Sequence, residues 1–265
     1  SQNPGFGTVA EAMSGFAHIT GYPDGPPTLP PFALGDGVAG IFGASAVMFA
    51  IWWRDAGEGN GEGQVIDISL YEPLMYILGS QILEYDQLNV VQTRSGNRPA
   101  HNKAPRNAFQ TSDGRWVALS ANSPSIVERI ISLLSLSDDP RFGTFQDTLE
   151  HGGELDELLK EWISNHSLDE VLDTFTKYQA AIGPVYSVAD IVKDPHFISR
   201  DDIVEIDDPQ LGKLKMQGLV PRFSKTPGRI DFAGPEKGEY NNEVYKELLG
   251  LSEEKLNELK EKGTI

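Results

Sequence analysis

Of the ionisable side chains in this 265-residue sequence, Asp36 has the setting best suited to covalent chemistry. It lies in Phe32-Ala33-Leu34-Gly35-Asp36-Gly37, between an apolar approach and the start of a long apolar run. Glycine on both sides leaves room for a ligand. A helix N-terminus favours negative charge, so a carboxylate held there is placed to act as a nucleophile. Read from the residues alone, the N-cap role is the first reading of Asp36, since aspartate is among the preferred capping residues, and the nucleophile role is compatible with it.

The other chemistry-bearing residues form no comparable constellation. His18, between Ala17 and Ile19, reads as structural rather than catalytic. His151 and His166 stand far apart with no ligand spacing, and Glu72, Glu84 and Asp86 fall on one expected helix, so no metal motif emerges. Gly57 to Gly63 lacks the Gly-Lys-Ser/Thr ending of a phosphate loop and is followed, not preceded, by a strand pattern, so it is a turn. His101, Asn102 and Lys103 lie on a polar connection whose plainest reading is a solvated linker.

The elements that must position Asp36 are legible from periodicity. Val38 to Trp53 is an apolar run of about 16 residues, shorter than the ~20 of a membrane helix, and reads as a buried helix. Its Gly40, Gly43, Ala44 and Ala46 suit close approach of another backbone. Val65 to Leu70 alternates like a strand, and a helix is expected from about Glu72 to Tyr85. The polar stretch Asn89 to Lys103 reads as an exposed connection between structural units. Beyond it, Arg106–Thr111 and Arg115–Ser120 flank Ser112-Asp113-Gly114 and signal a β-hairpin. Ser123-Pro124 and the capping box Ser167-Leu168-Asp169-Glu170 each open a helix. Strand patterns around Pro209 and Gly212 and a helical pair from Asn242 to about Gly263 complete an α/β architecture with an inserted α+β unit.

Composition narrows the partners. Lys+Arg 22 against Asp+Glu 39 gives a net charge of -17, which repels nucleic acid and anionic lipid alike. The absence of cysteine removes disulfides, thiolate metal sites and a cysteine nucleophile, and agrees with a cytoplasmic protein. The first residues, Ser1-Gln2-Asn3-Pro4-Gly5, lack an initiator Met and the basic and apolar regions of a signal peptide, and read as an interior segment.

Several runs, in order, resemble the class III CoA-transferases of the CaiB/BaiF type, including formyl-CoA and carnitine CoA-transferases. They are Pro4-Gly5-Phe6, Ala10-Glu11-Ala12-Met13-Ser14-Gly15, Thr20-Gly21-Tyr22-Pro23-Asp24-Gly25-Pro26-Pro27 and Ala33-Leu34-Gly35-Asp36. The similarity continues through Gly63 to Leu70, Ser112 to Val117, Asp139 to Phe142, Gly183-Pro184-Val185, Asp194-Pro195 and Ser224 to Pro227. The resemblance puts the family's catalytic aspartate at Asp36. It implies CoA transfer from an acyl-CoA to a carboxylic acid through an aspartyl anhydride and an aspartyl-CoA thioester, with CoA as substrate and no permanent cofactor. Backbone N–H groups of Gly35, Gly37 and Val38 would then face the oxyanion, and Gly96, Asn97 and His101 would lie on an acyl-site loop. The polyglycine run of some formyl-CoA transferases is absent there, which disfavours a formyl or oxalyl preference.

The family's racemases pair a histidine with the aspartate to move an α-proton; the matching position holds Phe6, so that alternative is weaker. The implied fold is a large domain with a Rossmann-like core, incomplete here because the N-terminal part is lacking, and a smaller α+β domain, in an intertwined homodimer. Residues 1–88 and 206–265 would belong to the large domain and 89–205 to the small one. The remaining alternative is a non-catalytic fragment or partner subunit.

Overall fold

The computed structural model describes residues 4–98 and 105–265, in two compact units, Ser1–Val185 and Tyr186–Ile265. The first unit opens with helices α1 (Gly7–Met13), α2 (Phe16–Ile19), α3 (Leu34–Asp55), α4 (Glu72–Ile77) and α5 (Gln81–Leu88). It continues through strands β1 (Arg106–Gln110) and β2 (Trp116–Ser120), helices α6 (Pro124–Leu133), α7 (Phe145–Glu150), α8 (Gly152–Ser164) and α9 (Leu168–Lys177), and strand β3 (Ile182–Pro184).

The expected hairpin forms. β1 pairs antiparallel with β2 from Arg106 opposite Ser120 to Gln110 opposite Trp116, and β3 adds to the other edge of β2. Gly114 takes a φ of 77°, the left-handed conformation that its turn requires and glycine adopts without strain. Val117 and Leu119 are buried while Trp116 and Ser120 are exposed, so one sheet face meets the helices. Leu155, Leu159 and Ile163, four apart along α8, are fully buried against that face together with Ile130, Val171 and Phe175. The capping box at Ser167 is present in both directions, the Ser167 N–H donating to Glu170 Oε2 at 2.8 Å.

The N-terminal half departs from several expectations. The apolar run belongs to a helix of 22 residues, Leu34–Asp55, long and apolar enough by itself to cross a membrane. It is not buried: only Gly35 and Ala39 are, and Ile41, Met48, Phe49 and Trp52 are between 62% and 74% exposed. Among the described residues, nothing outside the helix's own backbone lies within 4 Å of a Cβ built on Gly40 or Gly43, so no other element makes the close approach these glycines permit. The helix packs on α1 near its start and on α4, where the Phe42 ring lies edge-on against Tyr76 at 6.0 Å.

The strand expected at Val65 to Leu70 is not formed: among the described residues the segment joins neither of the two sheets. The helix expected from Glu72 to Tyr85 is two helices, broken where Gly79 adopts a φ of 83°. Both sheets of the described residues are antiparallel, so they contain no parallel Rossmann-like core.

The second unit holds short helices α10 (Val188–Ile191) and α11 (Pro195–Ser199), then the hairpin of β4 (Ile203–Asp208) and β5 (Gly212–Gln217). Its tail is a π-helical turn, Asn242–Leu248, and helix α12 (Glu253–Glu261), closed by Gly263 at a φ of 65°. The strand and helix patterns read in this region are thus present.

Candidate active site

Asp36 is the third residue of α3, not its cap. The cap position holds Ala33, whose side chain cannot accept a hydrogen bond, so the first turn of α3 must satisfy its free N–H groups by other means. Leu34 N–H donates to the Phe32 carbonyl at 2.8 Å, and Gly35 N–H donates to Glu11 Oε1 at 3.1 Å. Glu11 comes from α1 and is 3% exposed, a buried carboxylate that does the work of a capping side chain from 24 residues away. Gly37 N–H donates to the Ala33 carbonyl at 3.0 Å. The amides of Gly35 and Gly37 are therefore both engaged in this arrangement, and Val38 follows them within the helix.

The Asp36 side chain is exposed and faces the start of α1. A Cβ on Gly7 would overlap Asp36 Oδ2 and stand 3.1 Å from its Cγ. The missing side chain of Gly7 is the space the carboxylate occupies. Gly7 and Glu11 are four residues apart, one above the other on one face of α1, and that face meets the first turn of α3. Gly35 completes the contact: a Cβ there would lie 3.4 Å from the Gly7 carbonyl oxygen and 3.5 Å from Glu11 Cγ. Phe6, 78% exposed, directly precedes Gly7 and so belongs to the same corner as Asp36 without bringing a titratable group to it.

The connection after α5 packs elsewhere. Gly96 N–H donates to the Gly21 carbonyl at 2.9 Å, and its φ of 67° lets the Tyr22 ring lie where a Cβ would come within 3.1 Å. Arg94 donates from Nε to the Tyr22 carbonyl at 3.3 Å and from Nη1 to the His18 carbonyl at 3.4 Å. Asn97 donates to Asn107 Oδ1 at 3.3 Å, and Arg98 Nε donates to Asp156 Oδ2 at 2.9 Å. Gly96 and Asn97 thus tie the connection to the Thr20–Thr28 loop and to β1; His101 lies outside the described residues. His18 borders a separate cavity of about 310 Å³ with Ser14, Leu78 and Tyr85, a cavity Asp36 does not line. Glu72 is on α4 while Glu84 and Asp86 are on α5, so the break at Gly79 separates them. The Ser69 hydroxyl and then its N–H hold the Glu72 carboxyl below its ordinary range. Among the described residues no group of three or more His, Cys, Asp or Glu side chains is arranged to hold a metal ion.

A sequence model of CoA-transferase family III matches residues 1–241. The chain belongs to CoA-transferase family III. It is 39% identical, over 98% of its own length and 65% of the relative's, to succinyl-CoA–D-citramalate CoA-transferase of Chloroflexus aurantiacus. It is 33% identical, over 99% of its length and 65% of the relative's, to the beta subunit of succinyl-CoA–L-malate CoA-transferase of the same organism. Among solved structures, a CAIB/BAIF family protein from Brucella suis superposes with a TM-score of 0.75 at 25% identity, covering 93% of this chain and 64% of that one. The chain therefore spans just under two thirds of the length of these family members.

Sequence reasoning singled out Asp36 but assigned no role to Gly7 or Glu11. Their signal was present: a glycine and a carboxylate four apart in a short helical run whose other members, apart from Thr8, are the apolar Val9, Ala10, Ala12 and Met13.

Proposed function

We propose that the protein moves coenzyme A from an acyl-CoA donor to a carboxylic acid, with Asp36 as the covalent carrier. The observation that supports this most is the exposed Asp36 carboxylate in the first turn of α3, lodged against a glycine that leaves it unobstructed. In the proposed cycle the Asp36 carboxylate attacks the thioester carbonyl, forming an aspartyl–acyl mixed anhydride as the acyl–sulfur bond breaks and CoA thiolate leaves. The thiolate then attacks the aspartyl carbonyl, releasing the donor acid and leaving an aspartyl-CoA thioester. The acceptor carboxylate attacks that thioester and expels the thiolate again. The thiolate finally attacks the acceptor's acyl carbon, forming the new acyl-CoA and regenerating the Asp36 carboxylate. Each step exchanges one acyl–oxygen or acyl–sulfur bond for another, so no redox partner or metal is needed. Because Gly35 and Gly37 N–H are engaged, stabilisation of the oxyanion falls to other donors or needs these amides to reorient.

Succinyl-CoA is the donor to test first, with 2-hydroxy dicarboxylic acids as acceptors, because the related transferases named above act on succinyl-CoA with citramalate or malate. The domain division expected from the resemblance, a cytoplasmic location and an intertwined homodimer belong to the same proposal. The apolar stripe of Ile41, Met48, Phe49 and Trp52 on α3 supports association with further polypeptide rather than with a membrane or nucleic acid, given the charge of -17. The test is a panel of carboxylic acids against succinyl-CoA and acetyl-CoA, using the full-length polypeptide and following the CoA esters by chromatography. Net CoA exchange that disappears in Asp36→Ala is the expected result; no exchange with any acid would overturn the proposal.

A further inference from the structure

Glu11 is the least expected charge in this structure. Burying a carboxylate is costly unless its hydrogen bonds are made, and a serine or aspartate at position 33 would cap α3 locally without that cost. Instead Ala33 is silent, and the Gly35 amide is held by Glu11 Oε1 at 3.1 Å, one residue before Asp36. The same face of α1 carries Gly7, whose missing side chain admits the Asp36 carboxylate. Displacing α1 relative to α3 therefore moves both the amide that anchors the helix start and the wall beside the carboxylate.

We propose that Glu11 is a positioning residue for Asp36: through the Gly35 amide it locks the first turn of α3 to α1, so that the Asp36 carboxylate is held at one depth against Gly7. Glu11 touches no substrate in this account. Its contribution lies in geometry, and misplacing a reacting group by about 1 Å costs about 100-fold in rate. The inference rests on the transferase reading for its kinetic consequences, and on the Gly35 hydrogen bond alone for its structural one.

The test uses the full-length polypeptide and three substitutions. Glu11→Ala should lower kcat by about 10- to 100-fold while KM for both substrates changes little. Glu11→Gln should recover most of that loss, because its amide oxygen can accept the same bond. Glu11→Ala combined with Ala33→Asp should regain thermal stability through a local cap while kcat stays low, because the cap restores α3 without its tie to α1. Hydrogen exchange at the Gly35 amide, read by NMR, should accelerate in Glu11→Ala and not in Glu11→Gln. Full kcat in Glu11→Ala, failure of Glu11→Gln to improve on it, or full rescue by Ala33→Asp would each overturn the proposal. If the unsubstituted protein transfers no CoA, or Asp36→Ala still does, the transferase reading fails. The Gly35 exchange rates then decide the structural half alone: unchanged exchange in Glu11→Ala overturns it as well.

Discussion

At the scale of single residues, what surrounds Asp36 decides what it can do. As the third helical residue and not the cap, it contributes to stability only through the helix dipole, no more than about 1 kcal/mol. Asp36→Asn should therefore reduce CoA transfer to background while shifting the melting temperature little; a large drop in melting temperature would show that the side chain carries structure instead. Gly7→Ala makes the complementary prediction. Alanine suits a helix better than glycine, yet its Cβ would overlap Asp36 Oδ2. Stability should hold while kcat falls by about 100-fold, and a Gly7→Ala enzyme of full activity would mean that the carboxylate does not work from this position.

At the scale of elements, the hairpin and helices between Arg106 and Lys177 were the most legible because their signals are local. The hairpin turn at Asp113-Gly114 and the capping box at Ser167 depend on residues within a few positions of one another. Replacing Ser167 by alanine should cost about 1 kcal/mol by denaturant titration. The N-terminal elements were less legible because their partners are distant or absent. Alternation in Val65 to Leu70 signals a strand, but a strand also needs a neighbour, and among the described residues this segment joins neither sheet. The helix from Glu72 was read through Gly79, where one left-handed residue ends it. Glu11 could be seen in the sequence as a lone carboxylate on an apolar helix, but its bond to Gly35 spans 24 residues, and no periodicity encodes such a pairing.

Asp156 on α8 carries a pH prediction at this scale. It is 3% exposed, its Oδ2 accepts from Arg98 and from Asn107 at 3.1 Å, and its Oδ1 has no partner among the described residues. Burial pushes its carboxyl above the ordinary value of 3.8, against the pull of Asn107 and Arg98. The folded state thus holds this proton more tightly than the unfolded chain. The stabilisation it brings is complete below about pH 3.8 and is lost as pH rises through the folded value. Melting curves of Asp156→Asn should show a smaller loss of stability over that rise than the unsubstituted protein; an identical pH dependence would show that Asp156 does not titrate in the folded state.

At the scale of the molecule, the chain combines a charge of -17 with a helix whose apolar residues Ile41, Met48, Phe49 and Trp52 stay more than half exposed among the described residues. The charge repels the phosphates of CoA, and the chain spans 65% of the length of the two succinyl-CoA transferases compared above. Calorimetric titration of CoA into these 265 residues should show weak binding or none, with affinity rising in a polypeptide extended toward the relatives' length; tight binding by the shorter chain would place the CoA site within it. The central claim, that Asp36 carries the acyl group and then CoA, has a more direct test. Full-length protein mixed with succinyl-CoA, quenched within the turnover time, digested and analysed by mass spectrometry should yield the peptide containing Asp36 with the mass of CoA added by thioester linkage. The adduct should vanish in Asp36→Asn. A CoA adduct on another residue, or full turnover with none on Asp36, would contradict the account.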